Sequence, residues 1–158
     1  MSKTKAEPLE ISKWFNAAKP LSIQSLKGNV IVIGVFQMLC PGCVEHLVPQ
    51  LKRTEATFQN LGVSVLGLHS VFEHHDAMTP TALAAFIHEY KIGFPVGVDR
   101  GGEDKSGVPK TMEKYALEGT PTVILIDQEG YLRGKFFGHM PDMNLGAEIA
   151  TLLGEAKL

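Results

Sequence analysis

Cysteine is scarce in this chain: two residues in 158, at positions 40 and 43. So few cannot form the cross-linked framework of a small secreted domain. A chain of this length does not need one, because it can bury roughly 68–70% of its unfolded surface. Charge of one sign is lacking too. Lys and Arg number 15 against 17 Asp and Glu, for a net charge of −2. Without a basic surplus, nucleic acid is not an expected partner. No apolar run approaches the ~20 residues that span a bilayer, so no membrane partner is expected either. The opening Met1–Pro8 carries charge but no apolar h-region. It does not read as a secretory signal, and the expectation is a cytoplasmic protein. Internal repeats and low-complexity segments are absent. Gly101-Gly102, near Lys105 and Lys110, lacks any phosphate-loop spacing, and no cofactor is expected.

What is present reads as one domain. Residues 1–8 are polar and suggest a flexible N-terminus, with a single domain over 9–158. Leu9–Phe15 has the weak pattern of an edge strand. Val30–Phe36 is a β-branched apolar run of the kind buried on both faces of a parallel sheet. A helical pattern follows from Cys43 to about Gln59, interrupted by Pro49, which should kink it. Val63–Leu68 is a second buried strand, and a polar, His-rich loop covers 69–78. Thr79-Pro80 reads as an N-cap with proline in the first turn of a helix running to about Lys91. Gly93 lies where a C-capping glycine would sit. Phe94–Val98 suggests a short strand, and Val108–Ala116 a weaker helix. Val123–Ile126, a turn at Asp127–Gly130 and Tyr131–Phe137 form a hairpin pattern. Asp142 can start a final helix reaching Leu153. Strands and helices alternate at the front, which gives a parallel sheet, and the hairpin adds an antiparallel edge.

The chemistry sits in Cys40-Pro41-Gly42-Cys43, between a buried strand and a helix. Spacing of three on a helix puts both sulfurs on one face. Cys40 would lie at the helix N-terminus, where free N–H groups and the macrodipole favour an anion. Such settings lower a thiol pKa from about 8.5 to roughly 3.5–7.5. Cys43 would lie inside the helix and be less exposed. Thiol–disulfide exchange needs such a pair: one thiolate attacks a disulfide and the second thiol resolves the mixed disulfide. The plain alternatives are two structural cysteines or half of a zinc site. A zinc site needs about four protein ligands, and no second cysteine pair exists.

Together, the strand Val30–Phe36, the cysteine turn, the following helix and Gly119-Thr120-Pro121-Thr122 before a strand resemble the thioredoxin superfamily. They are most similar to its redoxin and TlpA/ResA-like branch. Ile126-Asp127-Gln128-Glu129-Gly130 resembles that branch's turn motif. The resemblance covers about residues 22–155. It implies an α/β thioredoxin fold: a central mixed sheet flanked by helices, with a strand–helix insertion, here within 63–99, before the cis-proline strand. It also implies a thiol–disulfide oxidoreductase with Cys40 as nucleophile, Cys43 as resolving thiol, and Thr120 with a cis Pro121 as the substrate platform. Expected partners are protein or small-molecule disulfides and a thiol reductant, with the protein acting as a monomer or weak dimer.

Several positions depart from the family. Leu39 replaces the usual tryptophan before the first cysteine, and Gly34 stands where many thioredoxins carry a buried aspartate. Gly34 is then expected to permit close packing behind the site. Glu73, from the insertion, and His69 are the candidate acid/base residues. Histidine titrates near neutral pH. His69, His74 and His75 around Glu73 also raise the alternative of a non-enzymatic metal-binding or interaction domain on the same scaffold, although the adjacent His74 and His75 would point apart. A thiol peroxidase is the other alternative. Its family motif places a proline and a threonine before the cysteine, and neither stands in Gly34–Leu39. His46 could share the helical face of Cys43. In Phe136-Phe137 one ring is expected in the core, and the other is a candidate for an apolar rim.

Overall fold

The structure, a computed structural model, describes residues 3–101 and 107–155. Lys105, with the middle of its glycine-rich loop, lies outside the described residues. So do residues 1 and 2 of the expected flexible terminus.

The described residues form a seven-stranded sheet of order β1-β7-β6-β3-β4-β5-β2. In chain order the strands are β1 (Thr4–Lys5), β2 (Ile11–Phe15), β3 (Val30–Phe36), β4 (Val63–His69), β5 (Val96–Asp99), β6 (Thr122–Ile126) and β7 (Tyr131–Phe137). β3, β4 and β5 run parallel. β6 pairs antiparallel with β3 and β7 antiparallel with β6, so the hairpin adds the antiparallel side of the sheet, as expected. Where the sequence suggests a flexible stretch, Thr4–Lys5 instead pairs antiparallel with Leu132 and Tyr131 of β7. The outermost hairpin strand offers a free row of backbone groups there, and the short N-terminal strand occupies part of it.

Every residue of β3 is buried. Its alternate side chains enter two separate cores, as the twofold period of a strand requires. Val30, Val32 and Phe36 pack with Leu51, Leu83, Leu145 and Ile149 from helices α1 (Val48–Thr57), α2 (Pro80–Glu89) and α4 (Asp142–Glu155). Ile31, Ile33 and Val35 face Leu66, Leu68, Ile124, Ile126 and Tyr115, which follows helix α3 (Lys110–Lys114). Trp14 packs against this second core from the edge strand β2. Fully burying a side chain of this size stabilises by roughly 1.5–3 kcal/mol, so the double-sided burial of β3 makes it the rigid support of whatever follows its C-terminal end.

Local chemistry explains the helix boundaries. Thr79 caps α2 by accepting the Ala82 N–H at 3.2 Å, as a threonine before a first-turn proline should. The end of α2 differs from expectation: Lys91, not Gly93, takes the left-handed conformation, with φ +54°. The Ile92 N–H closes back onto Ile87 O at 3.0 Å, a Schellman-type ending. Pro109 gives α3 no side-chain cap. Asp99 supplies one from β5, accepting the N–H groups of Thr111 (2.8 Å) and Met112 (3.0 Å) and the Ser70 hydroxyl (2.8 Å). Burial pushes the Asp99 carboxyl up and these donors pull it back. The segment carrying the cysteines is helical without a break from Pro41 to Thr57, with a π turn inside it. Cys43–Leu47 forms a π-helical turn, closed by the Val48 N–H on Cys43 O, and α1 begins beyond it with Pro49 in its first turn. A proline there has no N–H to donate and clashes with the preceding carbonyls. A wider turn accommodates it.

Candidate active site

β3 delivers the chain to the site and the next four residues shape it. The Cys40 N–H donates to Gln37 O (3.1 Å), and the Cys40 carbonyl accepts from Cys43 N–H (3.0 Å) and Val44 N–H (3.1 Å). The helical segment therefore starts at Cys40, with Pro41 at a position where its missing N–H costs nothing. The two sulfurs lie 2.6 Å apart, and the Cys43 N–H points at Cys40 Sγ at 3.4 Å. Cys40 is half-buried, and Cys43 is 0% exposed. One thiol can meet a substrate and the other can meet only its neighbour. Burial above all, reinforced by its bond to Cys40, pushes the Cys43 thiol up to about 12. The polar groups of the Gln37 main chain and the Thr120 side chain pull it in the other direction.

The Thr120–Pro121 peptide is cis. It brings the Thr120 carbonyl to 3.7 Å from Cys40 Sγ. Pro121 lies against the cysteine turn: a Cβ built on Gly42 would touch Pro121 Cδ at 3.5 Å. The structure thus brings Cys40, Cys43, Thr120 and Pro121 together. Leu39 and Phe137 are each 57% exposed, while Phe136 packs against the core.

The two acid/base candidates are placed otherwise. His69 is 1% exposed, and its Nε2 accepts the Met38 N–H at 3.1 Å. Its ring also lies against Phe36, with centroids 5.0 Å apart. Desolvation lowers its pKa to about 4, so at neutral pH it is an uncharged imidazole holding the loop before Cys40. Glu73 is exposed on its loop. Neither residue hydrogen-bonds a cysteine among the described residues. Nor does the place of the missing aspartate hold an acid. A Cβ on Gly34 would sit 2.3 Å from Leu51 Cδ1, so the fully buried Leu51 fills that space.

The histidine cluster is likewise dispersed. His69 turns inward, His74 is exposed at φ +49°, and His75 Nε2 approaches Gly107 O at 3.4 Å. Among the described residues no group of three or more His, Cys, Asp or Glu is placed to hold a metal ion. His46 stands on the π turn with its ring 4.6 Å from that of His139. Sequence reasoning missed Gln37. It is 1% exposed, its Oε1 accepts the Phe72 N–H (3.1 Å), and its Nε2 faces Thr120 Oγ1 (3.4 Å). A polar residue closing an otherwise apolar strand was the available signal.

A dithiol with one accessible and one buried sulfur, facing a cis-proline on this mixed sheet, defines a thioredoxin-like thiol–disulfide oxidoreductase. The Redoxin family model matches residues 10–150, and the chain belongs to that family. It is similar, at 54% identity and a TM-score of 0.93, to the crystal structure of a thioredoxin-like superfamily protein, covering 96% of this chain and 97% of that one. A thiol-disulfide isomerase from Corynebacterium glutamicum is 49% identical with a TM-score of 0.88, over 94% and 96% of the two chains. The thiol-disulfide oxidoreductase ResA of Bacillus thuringiensis is 25% identical over 134 residues, 80% of this chain and 69% of the relative. Against two ResA proteins of Bacillus cereus the chain spans 61% and 57% of their length. No helix of the described residues is long and apolar enough to cross a membrane.

Proposed function

We propose that this protein exchanges electrons with disulfides through the Cys40–Cys43 pair, with Cys40 attacking and Cys43 resolving. The observation that carries the reading is the asymmetry of the two thiols, 2.6 Å apart, one half-buried and one fully buried. Cys40 as thiolate attacks a substrate sulfur, one substrate thiolate leaves, and a mixed disulfide forms. Cys43 then attacks Cys40 Sγ, the second substrate thiolate departs with the electron pair, and the protein is left oxidised. A thiol reductant returns it to the dithiol. Cys43, whose thiol sits at about 12, stays protonated and inert until the mixed disulfide has formed. That order of events keeps the first attack with Cys40.

The substrate class is protein or small-molecule disulfides. An extended chain can align beside Thr120 and Pro121, in the manner of strand addition, with Leu39 and Phe137 as an apolar rim. In a reducing compartment the exchange runs as substrate reduction. Trapping tests the assignment. The Cys43→Ser protein, mixed with a disulfide-bonded protein, should accumulate a mixed disulfide that reductant releases and that Cys40→Ser abolishes. A Cys43→Ser protein that captures no disulfide, with its Cys40 still alkylated by a small reagent, removes the proposal.

A further inference from the structure

At the opposite end of the sheet from the dithiol lies a cavity of about 590 Å³ that thiol exchange does not use. It opens between the segment leaving β1, the turns at 22–27, and the turn joining β6 to β7. Main-chain bonds tie these walls together: the Ala6 N–H donates to Gly130 O at 2.9 Å, and the Gly28 N–H to Gln128 O at 2.8 Å. The seven residues of β3 separate the cavity from the cysteine turn, roughly 20 Å at about 3.3 Å per residue. Sites for small molecules occupy roughly 300–1,000 Å³, so one or two rings can enter.

The lining has two characters. Ala6, Leu9 and Ile23 are partly buried and pack against the second core, which gives the cavity an apolar floor. Glycine at position 130 keeps space beside it, since a Cβ there would lie 3.8 Å from Ile23 Cγ2. Lys5 and Lys27 line the cavity too, and neither ammonium makes an ion pair among the described residues. The Glu129 carboxylate is answered by Lys3 at 3.7 Å, and the same ammonium stands 5.4 Å over the Tyr131 ring. The charge left over is therefore positive. An apolar floor gains from any flat apolar body it removes from water, and lysines, as compact point charges, select the sign of the ligand.

We propose that this cavity binds a small aromatic anion, a carboxylate or sulfonate carried on one or two rings. The rings lie on Ala6, Leu9 and Ile23, and Lys5 and Lys27 answer the acidic group. The site is separate from Cys40 and Cys43 and independent of their chemistry.

The test titrates the full-length reduced protein with anilinonaphthalene sulfonate, whose fluorescence rises when it leaves water, and in parallel with the uncharged phenylnaphthylamine. The sulfonate should saturate at one equivalent and bind at least about tenfold more tightly than the uncharged probe. Lys5→Glu with Lys27→Glu, both at exposed positions, should weaken the sulfonate roughly tenfold and leave the uncharged probe unchanged. An unaltered thermal midpoint for that variant shows that the loss is not unfolding. Added salt should weaken the sulfonate alone. Ala6→Phe, which fills the floor, should weaken both probes. Leu39→Ser with Phe137→Ser, at the dithiol face, should bind both as the parent does. The proposal is overturned if the sulfonate does not saturate or if charge reversal leaves its binding unchanged. Loss of binding in the Leu39 and Phe137 variant overturns it as well, because the probe would then sit at the dithiol face.

Discussion

His69 makes the stability of this protein depend on pH in a calculable way. Its imidazole is buried, accepts the Met38 N–H through Nε2, and titrates at about 4 in the folded state against 6.5 in its absence. Between those values the unfolded chain binds the extra proton and the folded chain does not. Stability is therefore complete above about pH 6.5 and declines as pH falls toward 4. Integrating the two titrations gives a loss of about 2 kcal/mol at pH 5 and about 3 kcal/mol at pH 4. Asp99 acts in the opposite sense: its carboxyl is raised by burial, so its contribution is present at low pH and declines as pH rises through the folded value. Comparison with His69→Gln, which keeps an acceptor for Met38 and cannot titrate, cancels the Asp99 effect. Urea unfolding of both proteins at pH 7.5 and pH 5 should show the parent losing about 2 kcal/mol more than the variant. Parallel loss in the two proteins would refute the placement of His69 as a buried neutral acceptor.

Other perturbations follow from single contacts. Gly34→Ala drives a methyl to 2.3 Å from Leu51 Cδ1; denaturant unfolding should show a loss of about 1–3 kcal/mol, largely relieved in a Leu51→Ala background. Lys91→Gly should raise stability by roughly 0.5–1 kcal/mol, because the left-handed backbone at φ +54° disfavours any residue with a Cβ; an unchanged midpoint speaks against this. Leu39→Ser with Phe137→Ser should slow reduction of a protein disulfide severalfold while leaving the rate with a small aryl disulfide intact; equal slowing of both would deny the apolar rim a role in substrate docking.

Much of the architecture is written in apolar periodicity. The run Val30–Phe36 is the strand β3 to the residue, and Tyr131–Phe137 is β7. Buried strands leave a dense local signal because each position needs an apolar side chain. The expected strand from Phe94 begins at Val96. Phe94 is nonetheless fully buried, so its apolar character reports packing, not pairing. Pro49 announces a disturbance, but whether a helix kinks, breaks or widens depends on the backbone ahead of it, and here a π turn results. The cysteine pair is legible because thiol exchange demands fixed spacing, and Thr120 and Pro121 are legible only through the family resemblance of their motif. The groups around them are not. Glu73 and His69 are chosen by type and by nearness to the loop, and burial reverses the use of His69. Gln37 goes unnoticed because its partners, Phe72 and Thr120, are 35 and 83 residues away. No local pattern records contacts at that distance.

The most direct test of thiol exchange is the redox titration of the Cys40–Cys43 pair. The protein is equilibrated in graded dithiol buffers, its free thiols are alkylated, and they are counted by mass. The account predicts one reversible two-electron couple, with both thiols gained or lost together, between about −270 and −120 mV. Thiols that stay fully reduced across that window, or that are lost one at a time into dimers, would contradict it.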